Sequence, residues 1–298
     1  MLKQVLTPKQ VADAIGVSEA SLKRWCDKGL IPATRTAGGH RRLPISGVVQ
    51  FLRDNGQPIV RPEVLGLPSN VGQTEVTLER ARPHIQAAFE QGDEEQVTRI
   101  VFGLYFAGHS VVDICDKVVA SVFHEIGHRW EDGRVQVYQE RRSCEICTSA
   151  LFQLRSALPA PPANAPTAIG ATLEHDPYTL ASAMVAVSLR EMSWKAESYG
   201  PGHPCDTLAA AIQDMKPRLF WLSVSSIPSA PAFIAECNNL YDVAVANGTA
   251  LALGGRALTD QIRKEIRYSA FCDNLSHLTA FAKTIEGVPV SENVPLIT

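Results

Sequence analysis

His124, Glu125 and His128 fall in the pattern H-E-x-x-H. On a helix that spacing turns both imidazoles to one face, where they could hold zinc with the glutamate as general base. A zinc peptidase is therefore one candidate. Two things argue against it: a five-residue pattern with two free positions arises by chance, and no third ligand follows in a zincin context. The plain alternative is a bundle helix with solvent-facing or hydrogen-bonded histidines. Cys144 and Cys147 form a lone C-x-x-C with no partner pair, so they read as small apolar residues of a buried face. Seven cysteines, an odd number scattered over 298 residues, do not make a disulfide framework, and a reducing cytoplasm is the expected setting.

A basic cluster offers different chemistry. Residues 1–55 hold nine Lys/Arg against four acids, a net +5 in a chain of formal charge −3, so the remainder carries −8. A cationic head on an acidic body implies a polyanionic partner for the head alone. Thr7-Pro8 reads as a helix cap and first turn, with Val11, Ala12 and Ile15 on one face. Gly16 ends that helix. Ser18 caps a second, whose Leu22, Trp25 and Leu30 are expected to point inward. Two short helices around a Gly turn make a helix-turn-helix, and the second presents Glu19, Ser21, Lys23 and Arg24 for base edges and phosphates.

Downstream stands Arg35-Thr-Ala-Gly-Gly39-His40-Arg41-Arg42, a basic stretch whose glycines permit a tight turn. The string SLKRWCDKGLIP…RTAGGHRRL resembles the MerR family, where it forms recognition helix and wing. The resemblance implies double-stranded DNA as partner and a homo-oligomer, dimer or tetramer, since one such unit reads few base pairs. His40 has a plainer role open to it, a hydrogen bond within the wing.

The elements that position these residues divide the chain into a multidomain protein. Residues 1–55 form the winged helix-turn-helix, and the Gly/Pro/Asn-rich stretch 56–74 reads as a linker. Helical periodicity over about 75–92, 93–107, 109–132 and 135–157 predicts a four-helix bundle. A Pro-Ala stretch, 158–166, is the second linker. From 167 to 298 strand and helix patterns alternate: strands at 168–172, 195–199, 219–224 and 250–253, helices at 180–191, 205–215, 230–247 and 274–285. That pattern predicts an α/β doubly wound parallel sheet of flavodoxin type, with ligands at the strands' carboxyl ends. No apolar run of about 18 residues offers a membrane span, and the first ten residues lack the apolar core of a secretory signal.

Glu125-Ile126-Gly127-x-Arg129-Trp130-x-x-Gly133, followed by Glu140, resembles the helical cap of the cobalamin-dependent, light-responsive MerR regulators of the CarH and LitR type. In that family a Trp, nine intervening residues and then Glu-His line the upper face of the corrin. Here Trp130 and Glu140 stand in place, Arg141 occupies the histidine position, and Glu131 follows the tryptophan where some members have histidine. The final domain resembles the cobalamin-binding fold, with Ser223-Val-Ser225 and Gly254-Gly255 as two of its signatures. The third, an Asp-x-His-x-x-Gly loop, aligns on Asp176-Pro-Tyr178-Thr-Leu-Ala181. Tyr178 thus takes the place of the axial histidine, and a phenol with a pKa of about 10 is a poor cobalt donor at neutral pH. His175 lies three residues out of register and reads as an exposed loop histidine.

The residues thus imply a cytoplasmic transcription regulator, expected to be a repressor of light-responsive genes and not an enzyme. A cobalamin-type domain without its axial histidine implies no cofactor, and by resemblance a signal delivered by a partner photoreceptor protein such as one of LOV type. The alternative is a self-sensing regulator that binds adenosylcobalamin or another tetrapyrrole, haem or bilin, beneath Trp130.

Overall fold

The computed structural model describes residues 3–71, 77–131, 133 and 135–286; of residues 130 and 131 it describes the backbone. The chain divides into two compact units, residues 1–160 and 161–298. No described helix is long and apolar enough to cross a membrane.

The first unit opens with strand β1 (Val5–Leu6), helix α1 (Pro8–Ile15) and helix α2 (Glu19–Asp27). Thr7 caps α1, its Oγ1 accepting from Gln10 N while Gln10 Oε1 accepts from Thr7 N. Gly16, at φ 70°, terminates it, and Ser18 Oγ accepts from Ser21 N to start α2. A hairpin follows, β2 (Thr34–Arg35) and β3 (Arg41–Pro44), leading into α3 (Ile45–Asp54). β1 and β2 flank β3 antiparallel. Val11, Ile15, Leu22, Leu43, Val48 and Leu52 form the core of this head.

Two expectations are corrected here. Leu30 does not point inward; it is 52% exposed, and Ile31 is buried in its stead. Gly29 at φ 74° leaves the helical spiral, which shifts the phase of the apolar face by one residue. The stretch 56–74 is not a free linker through its described part. It carries helix α4 (Pro62–Leu65), buries Ile59, Leu65, Leu67 and Val71, and bonds to α1 through Val60 N and Arg61 N to Ala14 O. Apolar anchors between the prolines outweigh the turn-rich composition.

The bundle comprises α5 (Leu78–Gln91), α6 (Glu94–Phe106), a third helix made of α7 (Val111–Ile114) and α8 (Ala120–Glu131), and α9 (Val137–Ala157). α7 and α8 join through a π-turn at Cys115–Val119. Such a turn frees carbonyls of the helix ladder, and Arg82 Nε answers by donating to Lys117 O at 2.6 Å. The head rests on this bundle: α3 packs on α6 and α9, and Arg53 lies 4.0 Å from the centroid of the Tyr105 ring.

The second unit is a five-stranded parallel sheet in the order β5-β4-β6-β7-β8. Its strands are β4 (Thr167–Ala171), β5 (Lys195–Ser198), β6 (Leu219–Ser223), β7 (Ala250–Gly254) and β8 (Ala270–Phe271). Its helices are α10 (Leu180–Glu191), α11 (Cys205–Met215), α12 (Ala230–Ala246), α13 (Asp260–Glu265) and α14 (Leu275–Glu286). That order is the flavodoxin-type winding, whose topological switch lies between β4 and β6. α13 and β8 are absent from the sequence expectation, both being too short to show a period. Alternation along the strands sends Ile169, Phe220, Leu222, Leu251 and Leu253 into one core with α11 and α12. The opposite face packs on α10.

Candidate functional site

In the head, α2 and the wing stand at one edge. Lys23 and Arg24 are exposed; Glu19 and Ser21, expected to be exposed, are half-buried, because Lys23 pairs with Glu19 at 2.7 Å and Arg24 Nη2 donates to Ser21 Oγ at 3.0 Å. Arg35 and His40 are exposed on the hairpin, and Gly39 at φ 79° makes its tip. His40 N donates to Thr36 Oγ1, which closes the loop through its backbone. Arg41 is different. Its guanidinium lies 2.5 Å from Asp27 Oδ1 and is mostly covered, so it ties the root of the wing to the last turn of α2. Arg42, half-buried, donates to the carbonyl of Arg41. Trp25 packs against Phe51 of α3 in a tilted pair with centroids 5.1 Å apart. Asp27 was not among the sequence candidates, and nothing in its local context marks its partner 14 residues on.

In the bundle, His124 and His128 face each other with Nε2 atoms 3.0 Å apart on the exposed side of α8. Among the described residues no group of three His, Cys, Asp or Glu stands close enough to hold a metal. Cys144 and Cys147 are both held protonated by burial. Desolvation, with Glu140 adding to it, pushes Cys144 up to about 12, and Cys147 goes higher still. Such thiols are poor nucleophiles and poor ligands at neutral pH. Glu140 takes a contact from Cys144 Sγ at 3.6 Å and stands 3.7 Å from Arg141 Nε. The side chains of Trp130 and Glu131 lie outside the described residues.

In the α/β unit the loop after β4 meets the loops after β6 and β7, as the parallel winding requires. Asp176 is 2% exposed; its Oδ2 accepts from Ser225 N at 2.6 Å and Ser226 N at 3.2 Å, and its Oδ1 accepts from Tyr178 N at 3.2 Å. Thr172 Oγ1 donates to Asp176 O at 2.6 Å and fixes the loop from the strand side. His175, exposed, turns the chain at φ 71°, a left-handed position that histidine tolerates better than most residues. Tyr178 is half-buried, with Arg256 5.5 Å from its ring centroid. Arg256 follows Gly254-Gly255 directly, so the glycine pair itself was the signal that could have found it. Ser223 is buried and Ser225 half-buried. Gly255, at φ 137°, packs on the carbonyl of Val224 and makes a tight strand exit. Asp176, Tyr178, Ser225 and the Gly-Gly exit are thus gathered at one end of the sheet.

Comparison with known proteins places these parts. The helix-turn-helix domain family matches residues 5–56, and the B12 binding domain family matches residues 84–155. The HTH-type transcriptional repressor CarH of Myxococcus xanthus is 23% identical over 284 residues, 89% of this chain and 91% of its own. Among solved structures, the monomethylamine corrinoid protein of Methanosarcina barkeri superposes with a TM-score of 0.56 at 16% identity, over 70% of this chain and 100% of its own. At that identity the likeness speaks for the fold. A chain that leads with a helix-turn-helix, continues into a B12 binding domain and aligns with CarH nearly end to end is a CarH-like regulator of transcription.

Proposed function

We propose that this regulator is a cytoplasmic repressor of light-responsive genes that binds its operator as a homo-oligomer, dimer or tetramer, and takes its signal from a partner photoreceptor protein, of LOV type, rather than from cobalamin. One observation carries the second half. The loop after β4 offers Tyr178 where an axial histidine would stand, and the Asp176 carboxylate that would orient such a ligand is taken up by backbone N–H groups of Ser225, Ser226 and Tyr178. The residues at this end of the sheet do not fit a cobalt-gripping role. Docking of the partner would then shift the chain between DNA-bound and released states, which requires different partner affinity for the two.

Incubating the purified chain with adenosylcobalamin in the dark, removing excess and recording the visible spectrum tests this reading. A protein without corrin absorbance is the expected outcome, and a stoichiometric, light-sensitive complex would overturn it. The match of the B12 binding domain to residues 84–155 favours a second reading, a self-sensing regulator that binds adenosylcobalamin, haem or a bilin. The spectrum of protein from cells supplied with these pigments separates the two.

DNA contact is assigned to α2 and the wing through Ser18, Glu19, Ser21, Lys23, Arg24, Arg35, Gly39, His40 and Arg42, with Arg41 holding the wing in place. Arg24→Ala is expected to weaken operator binding by about 1–3 kcal/mol if it reads a base, or to flatten the salt dependence by about one ion if it meets a phosphate. Arg41→Ala weakens binding as well, but through the wing's placement. Asp27→Ala distinguishes the cases. Removing an acid beside DNA tightens binding on charge alone, whereas loss of the Arg41 anchor loosens it. Titration of the three variants against operator at two salt concentrations reads this out, and tighter binding by Asp27→Ala would refute the anchor.

A further inference from the structure

The face of the sheet that packs on α10 has an unusual composition. Alternation puts Ala168 and Gly170 of β4 and Ala250, Ala252 and Gly254 of β7 on it, with Leu219, Trp221 and Ser223 of β6 between them. Small residues on both flanking strands leave a gap between sheet and helix, and close-packed interiors do not keep gaps. Trp221 fills it. The side chain is 2% exposed, and a Cβ built on Gly170 would lie 2.1 Å from the ring-fusion atoms of the indole. The indole Nε1 donates to Ser182 Oγ on α10 at 2.8 Å, and Ser182 Oγ lies 3.2 Å from Ser198 Oγ. The ring therefore has its volume, its stacking partner and its single polar atom all satisfied.

We propose that Trp221 acts as a built-in ligand, occupying the core space beside α10 that the base of a cobalamin nucleotide arm would need. The inference rests on the reading that this domain works without cobalamin, and gives it a second, independent physical cause. Cobalamin carries dimethylbenzimidazole on a flexible arm. A corrin seated over the strand ends with that base off cobalt would bury the base only if the domain offered it core space. Indole and benzimidazole are both fused five- and six-membered aromatic bicycles, with one ring nitrogen in the first and two in the second. A side chain of that shape, hydrogen-bonded and stacked on glycine, leaves no room for a second. It also keeps the domain packed with no cofactor present.

The test uses the full chain as wild type, Trp221→Ala and Trp221→Leu, with 5,6-dimethylbenzimidazole as the probe. Emptying an apolar core site leaves a cavity that takes up a matching aromatic. Both folded variants are expected to show a melting temperature that rises with the probe, and to bind it at least about tenfold tighter than wild type by calorimetry. The leucine variant keeps part of the bulk and serves if the alanine variant does not fold. As a packing check, Gly170→Ala lowers the melting temperature of wild type and is tolerated in the Trp221→Leu background. Equal probe binding by wild type, or no gain in a folded variant, overturns the proposal. The two ideas fail separately. A stoichiometric adenosylcobalamin complex of the wild type sinks the functional reading, whereas a cobalamin-inert wild type with benzimidazole-inert variants sinks the plug alone.

Discussion

Gly255→Ala is expected to remove about 4 kcal/mol from the stability of the α/β unit, a large share of the roughly 5–15 kcal/mol that holds a domain folded. Two costs add. The residue sits at φ 137°, where an L side chain is strained, and a Cβ there would lie 2.0 Å from Val224 O and 2.6 Å from Val224 C. Those are backbone atoms of the loop that leaves β6, and they cannot swing aside as a side chain does. Val224 N already donates to Gly254 O at 2.8 Å, so the two loops are bonded where the methyl group would intrude. Gly200→Ala provides the control. It stands at φ 88° with nothing within 4 Å of a built Cβ, so its cost is confined to the backbone term, about 1 kcal/mol. Hydrogen exchange read peptide by peptide separates the α/β unit from the rest of the chain. Native protection of the β6 and β7 peptides in Gly255→Ala would show that the strand exit has been misjudged.

Much of this architecture is legible in the sequence because local signals agree there. Helices α10 and α11 fall on the residues the pattern predicts, 180–191 and 205–215. Thr7 and Ser18 cap the two head helices as their types and positions imply. What the sequence hides is set by distant partners. The Asp176 clasp joins residues 49 and 50 positions apart, and the Trp221–Ser182 bond spans 39. Neither has a periodic signature. The π-turn at Cys115–Val119 is hidden for a related reason: Lys117 O accepts from Ser121 Oγ and also from Arg82, 35 positions upstream. Leu30 shows a more local failure. Apolar character at the right spacing put it inside, but the left-handed turn at Gly29 advanced the register and gave the core place to Ile31. The packing of 59–71 on α1 shows composition misleading in the other direction, since four buried apolar residues decide the outcome among many turn formers.

Asp176→Ala is expected to cost about 3 kcal/mol and to loosen the loops after β4 and β6 together. The carboxylate is buried and accepts from three backbone N–H groups, Ser225, Ser226 and Tyr178. Each donor left without a partner in a buried site costs about 1–3 kcal/mol, with the lower end fitting Ser225 and Ser226, which water reaches in part. Asp176→Asn keeps an oxygen for Ser225 and Ser226 but turns an amide NH2 toward Tyr178 N, and is expected to cost about 2 kcal/mol, since one donor is orphaned and the charge assistance goes. This ordering bears on function. A carboxylate whose work is to orient a metal ligand can be removed with small effect on the empty fold, because its partner is a side chain free to turn to water. A carboxylate that closes a loop over backbone amides cannot. Denaturant unfolding of the three proteins, with exchange protection followed at 172–179 and 224–229, decides between them. An alanine variant as stable and as protected as wild type would return Asp176 to the ligand-orienting role and reopen this end of the sheet as a cofactor site.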